Sequence, residues 1–155
     1  MGFSSLFIGI VTGGVLFLAL PYVLIEANSL FNLPVITNYI FQAVGVFLMI
    51  VGALVFAYCS GLFIFVGKGT PLPTDPPHEL VTGGIYKFSR NPMYLSYLGI
   101  FLGEFLFLGH ITLLLYFFIM SIFIPYFVVR IEEPDLTKRF GKKYIEYKKT
   151  TPRWL

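Results

Sequence analysis

Two short runs in the second half of the chain hold nearly all the residues able to do polar chemistry. The first is His78-Glu79-Leu80-Val81-Thr82-Gly83-Gly84-Ile85-Tyr86-Lys87-Phe88-Ser89-Arg90-Asn91-Pro92-Met93-Tyr94. Its paired glycines allow a tight turn with exposed backbone amides. Arg90 presents a rigid fork of donors suited to a carboxylate or phosphate. Asn91 both donates and accepts, and Pro92 stands at the favoured first position of a helix. The second run is Arg130-Ile131-Glu132-Glu133. Adjacent carboxylates at a helix C-terminus repel each other and the helix dipole, so the pair implies a partner carrying positive charge. A plainer reading needs no ligand: Arg90 and Arg130 are snorkelling anchors and the glutamates are their salt-bridge partners.

The elements that must position these runs are apolar. The 155 residues are 57% hydrophobic and only 12% charged, too little polar surface for a soluble fold and enough chain for one domain, 1–155. Leu6–Ile25 is long enough for a first membrane span, interrupted late by Pro21, and it lacks the basic start of a signal peptide. Asn28–Pro34 reads as a short polar turn. Tyr39–Val66 makes a second span with length to spare for tilt. Residues 1–67 thus hold two spans, and 68–155 hold the motifs. In Lys68–Asn91, Pro71, Pro73, Pro76 and Pro77 forbid regular helix. Pro92–Leu108 gives a third span, Gly109-His110 a tight break, and Ile111–Val129 a fourth span kinked at Pro125. So short a connection makes the last two spans an antiparallel helical hairpin, which brings Arg90-Asn91 beside Glu132-Glu133. Beyond it, Leu136, Phe140, Tyr144 and Tyr147 recur at helical spacing among lysines and arginines, the pattern of an interfacial amphipathic helix. The predicted architecture is all-α and polytopic, with four transmembrane helices. Gly9–Gly13 and Gly99–Gly103 are small-residue pairs that permit close helix approach.

Charge orients the chain. Residues 1–67 contain no Lys or Arg and a single acid, Glu26, while all eleven basic residues lie between Lys68 and Arg153. The positive-inside rule then places the Lys68–Asn91 loop, the tail and, with four spans, both termini in the cytoplasm. The membrane would be the plasma membrane of a prokaryote or the endoplasmic reticulum of a eukaryote. A nucleic-acid binder would carry its basic surface on soluble structure, which is lacking. The single cysteine, Cys59, has no metal-ligand neighbours in sequence and reads as a small core residue. Glu104, alone inside the third span, is costly there. It reads as a neutral or hydrogen-bonded group facing the bundle, with a substrate path as the functional alternative. His110 reads as an exposed turn residue.

The spacing HELVxxGxYxxxRNPMYL, a short helical hairpin, and EExxLxxxFGxxYxxYxxxxPR resembles the isoprenylcysteine carboxyl methyltransferase and phospholipid methyltransferase superfamily. The second block here is Glu132-Glu133, Leu136, Phe140-Gly141, Tyr144, Tyr147 and Pro152-Arg153. The likeness covers about residues 68–155. It implies an integral-membrane enzyme that moves a methyl group from S-adenosylmethionine to a lipophilic acceptor. By position, His78, Leu80, Val81, Tyr86, Asn91, Pro92, Met93, Tyr94, Glu132 and Glu133 would form the cofactor site, with Arg90 and Arg130 orienting substrate. No glycine-rich dinucleotide fingerprint follows a strand, so the soluble methyltransferase fold is not expected. The carboxyl methyltransferases usually read Arg-His-Pro where this chain has Arg90-Asn91-Pro92. They carry a substrate-facing arginine where this chain has Val128. An isoprenylcysteine carboxylate is the expected acceptor type. A phospholipid amine, a hydrophobic thiol, or a non-catalytic role as a membrane scaffold or transporter subunit are the alternatives.

Overall fold

The computed structural model describes residues 3–72 and 74–155, and every regular element among them is helical. The first rod consists of α1 (Phe3–Gly14) and α2 (Leu20–Leu30), joined without a break by a π-helical turn at Val15–Ala19. Its cause is Pro21, which has no N–H for the Phe17 carbonyl and whose ring crowds that group. Widening the preceding turn relieves the crowding and lets the helix continue. Pro21 therefore changes the helical register where the sequence suggested an interruption. Asn28, expected in a polar turn, instead lies within α2 and is fully buried. Its Nδ2 donates to the Leu33 carbonyl (3.0 Å), and its Oδ1 accepts from the Thr112 amide (3.2 Å).

Helix α3 (Tyr39–Phe65) is capped by Asn38, whose side chain accepts from the Phe41 amide. The proline-rich segment that follows is irregular, as expected, apart from a short 3-10 turn at Gly84–Lys87. Helix α4 (Pro92–Leu108) begins on its proline, and Gly109-His110 joins it to α5 (Ile111–Phe127). A second π-helical turn, Val128–Glu132, leads directly into α6 (Glu133–Phe140). The distortion expected at Pro125 thus falls further on, ending two residues before Pro134. The first π turn stands in the same relation to Pro21.

Three helices are long and apolar enough to cross a membrane: Phe7–Leu30, Tyr39–Phe65 and Ile111–Phe140. Pro92–Leu108 is apolar but shorter, at 17 residues. Large apolar side chains such as Leu18, Ile40, Leu54 and Ile122 point outward, which suits a lipid surround and not water. The molecule is an integral membrane protein built around α4, whose Met93, Ser96, Phe101, Gly103, Glu104 and Phe105 are all buried.

Helix α3 meets α4 along Gly45, Gly52 and Cys59, its buried residues, which recur every seventh position. A Cβ on Gly45 would lie 2.7 Å from the Gly103 carbonyl oxygen, so the two backbones touch there. Of the glycine pairs in the sequence, Gly103 forms the tightest part of this contact, whereas Gly13 has open space around it. The first rod packs against the other side chains of the bundle through Phe17, which stacks on Phe101 and meets Tyr97 edge-on.

The single amphipathic tail helix expected from the sequence is in fact two. Gly141 adopts φ 54° and ψ −128°, outside the helical range, and separates α6 from α7 (Lys142–Thr150). The turn redirects Tyr144 and Tyr147 against the protein, where both are buried.

Candidate functional site

The site forms where α4 begins, α5–α6 passes and α7 ends. Its floor is a small core of Cys59, Val81, Tyr86 and Met93, packed by Phe56, Phe63 and Tyr97 among others. The Gly83-Gly84 turn lies close against α3: a Cβ on Gly84 would sit 2.6 Å from the Tyr58 hydroxyl, at a backbone φ of +59°. This approach leads the chain into the 3-10 turn that buries Tyr86. Tyr147 then donates a 2.6 Å hydrogen bond to the Tyr86 carbonyl. Burial raises the Tyr147 phenol above its ordinary value, so it remains a donor.

Ser89, Arg90 and Asn91 form the wall. Ser89 and Asn91 are buried, and the Arg90 side chain is 8% exposed. Arg90 Nη1 lies 2.9 Å from Glu133 Oε1 and donates a longer bond to the Tyr144 hydroxyl. Glu133 also receives Lys148 Nζ at 3.0 Å and Arg153, whose Nε and Nη2 reach separate carboxylate oxygens at 2.7 and 3.2 Å. Donating to Glu133 raises the Arg153 guanidinium above its usual value. One buried carboxylate is thus held by three cations.

Glu132 is placed differently. It stands beside the Tyr94 hydroxyl, and its charge also reaches Tyr97. Its Oε2 is buried and has no hydrogen-bond partner among the described residues, and the same is true of Arg90 Nε. Arg90 Nη1 reaches the Tyr144 phenol, on which the Glu132 charge acts from further away. Burial and then the Glu133 charge raise that phenol above its usual value, with Arg90 opposing and Glu132 adding to the rise. Tyr94 and Tyr97 meet edge to face, with ring centroids 5.8 Å apart. An orphan acceptor thus stands beside an aromatic face, and an orphan donor lies in the neighbouring Ser89–Asn91 wall. Buried polar groups left in this way point to a ligand.

The residues singled out in the sequence divide between this site and its surroundings. Val81, Tyr86, Asn91, Pro92, Met93, Tyr94, Glu132, Glu133 and Arg90 come together. Leu80 lines a shallow cleft of about 370 Å³ with Thr82, Lys143, Glu146, Tyr147 and Thr150. His78 lies on the loop with its side chain exposed, 3.6 Å from Asp75. Arg130 is exposed on the second π turn, whereas Val128 is buried. Glu104 is buried in α4 with Oε2 unpartnered, in keeping with a group facing the bundle. Ser89, Tyr97, Tyr144, Lys148 and Arg153 were not singled out as site residues. Ser89, Tyr144 and Arg153 lay within the quoted motifs, and Tyr97 stands one helical turn after Tyr94.

The family model for phospholipid methyltransferases matches residues 40–143. The Protein-S-isoprenylcysteine O-methyltransferase of Saccharomyces cerevisiae is 36% identical over 75 residues, which take in 48% of this chain and 31% of the yeast protein. The chain thus spans less than a third of that relative's length. No solved structure matches it. With a family match running from α3 through the first motif and the Glu132-Glu133 pair to the start of α7, about two thirds of its length, the chain belongs to the phospholipid methyltransferase family.

Proposed function

We propose that this protein methylates a lipophilic acceptor at the cytoplasmic face of a membrane, with S-adenosylmethionine as donor. The observation that carries the reading is the buried orphan atom Glu132 Oε2 beside the Tyr94–Tyr97 face, with a second orphan, Arg90 Nε, in the adjoining wall. Glu132 suits the ammonium of an amino-acid end, and Arg90 Nε suits its carboxylate. The tyrosine face suits a sulfonium. These residues fit the cofactor. Asn91, Pro92, Met93 and Tyr94, with Val81, Leu80, Tyr86 and His78 towards the loop, would make up the rest of its surroundings. The bound cofactor supplies an electrophilic methyl group, and the chain's own work is to align it with the acceptor and keep water away.

The choice of acceptor follows from what the site lacks. Among the described residues around Glu132, no histidine is placed to take a proton: His78 is exposed and His110 lies at the opposite end of α4. An acceptor that is already a nucleophile, such as a carboxylate or thiolate, needs no base, whereas a protonated amine does. We therefore favour an isoprenylcysteine-type carboxylate, in line with the activity named for the yeast relative. A phospholipid amine is the second reading, supported by the family's name. The acceptor's tail would reach the site from the bilayer. Four crossings, with α4 as the short third span enclosed by the others, would leave both termini and all the basic loops on the cytoplasmic side.

Binding of S-adenosylmethionine to the purified protein, measured calorimetrically in detergent, tests the cofactor. Wild type is expected to bind, and Glu132→Ala to weaken binding by about tenfold or more, the size of a lost charge-assisted contact. Absence of binding at millimolar concentration, or binding indifferent to that substitution, would overturn the reading. Radiolabelled methyl transfer into fractionated lipids and prenylcysteine analogues then separates the acceptors. Base-labile label marks an ester, and stable label marks N- or S-methylation.

A further inference from the structure

Beyond α7, the last residues run back across the wall of the site. The Arg90 amide donates to the Pro152 carbonyl at 3.0 Å, and Ser89 Oγ (3.2 Å) and Asn91 Nδ2 (3.0 Å) both donate to the Arg153 carbonyl. Thr151 is buried. The Arg153 side chain then closes on Glu133 with two bonds. Glu133 in turn holds Nη1 of Arg90, the residue whose Nε has no partner among the described residues. Five hydrogen bonds therefore join a three-residue strap to the Ser89–Asn91 wall and to a carboxylate more than a dozen residues away in sequence.

We propose that Thr151–Arg153 is a strap and Glu133 its buckle. Together they are positioning residues that set Arg90, and Glu133 is not itself a cofactor ligand. The two adjacent glutamates thereby have separate tasks. Both oxygens of Glu133 are occupied by Arg90, Lys148 and Arg153, which leaves it no capacity for a further cation. Glu132 has an oxygen to spare. The buckle also accounts for the guanidinium: two bonds to two oxygens need a planar fork, which a lysine at 153 cannot supply. The cofactor part of this inference rests on the proposed function. The strap itself does not.

Two measurements on the full chain in detergent test it. Hydrogen exchange at the Arg90 amide reads the strap without any ligand. Arg153→Ala and Glu133→Gln are expected to speed exchange across residues 85–91 by about tenfold or more, while protection in α3 and α4 stays unchanged. Unchanged exchange in both variants overturns the strap. The second measurement is S-adenosylmethionine affinity in a double-mutant cycle of Arg153→Ala with Arg90→Ala. Arg153→Ala alone is expected to weaken binding several-fold, Arg153→Lys to recover part of it, and Arg153→Ala to have almost no effect once Arg90 is gone. Additive losses, or a loss confined to the folded yield with normal affinity in what folds, would show that Arg153 does not act through Arg90. A wild type that binds no cofactor sinks the proposed function, while the exchange measurement still decides the strap.

Discussion

Tyr147 does more for the site than its place on a surface-seeking helix suggested. Its hydroxyl spans two elements far apart in sequence to reach the Tyr86 carbonyl, in a buried position. Tyr147→Phe keeps the ring and leaves that carbonyl unsatisfied, which is expected to cost about 1–3 kcal/mol. Thermal unfolding in detergent would show this as a lowered midpoint, with little change if water can replace the hydroxyl. At this scale the sequence was legible where residue type dictates chemistry. Arg90, Asn91 and the glutamate pair were found because buried charge demands a partner. The separation of Glu132 from Glu133 was not legible, because it depends on which neighbours face each carboxylate: Tyr94 for one, and Arg90, Lys148 and Arg153 for the other. The exposure of Arg130 escaped for a related reason: an ideal helical wheel does not include the π turn that carries it.

Between α3 and α4 the contact is made by backbone. A methyl group on Gly45 would stand 2.7 Å from both the Gly103 oxygen and the Phe107 nitrogen, neither of which can move alone. Gly45→Ala is therefore expected to force the helices apart at a cost of about 1–3 kcal/mol. Gly13→Ala, where nothing lies within 4 Å, should be neutral or slightly stabilising. Parallel denaturation of the two variants checks the contrast, and equal effects would mean that the glycine stripe is not what sets this interface. The ends of α3, α4 and α5 were readable to within two positions, because long apolar runs bounded by polar or proline residues mark them. The seven-residue stripe of Gly45, Gly52 and Cys59 was missed, since small-residue pairs were sought four apart. The break at Gly141 was hidden by an aromatic pattern that runs on at helical spacing through a residue whose backbone does not.

For the molecule as a whole, the uneven distribution of basic residues predicts sidedness. Cys59 is fully buried, so the wild type should be silent to a membrane-impermeant thiol reagent. Cysteines placed at Lys87 and Lys149 are expected to label from one side of sealed vesicles, and one at Asn32, in the loop between α2 and α3, from the other. Labelling of all three from one side would exclude the four-crossing arrangement. The two π turns have a consequence at this same scale. Each adds one residue to a turn of about 3.6, so the faces before and after it are out of phase by roughly 100°. The long rod from Ile111 to Phe140 can thus present one stripe to its neighbours within the bilayer and a different one to the polar assembly beyond it. The proline that follows each turn works as a phase shifter, and a sequence comparison that assumes unbroken helical periodicity will place the charged residues beyond it one position out of step.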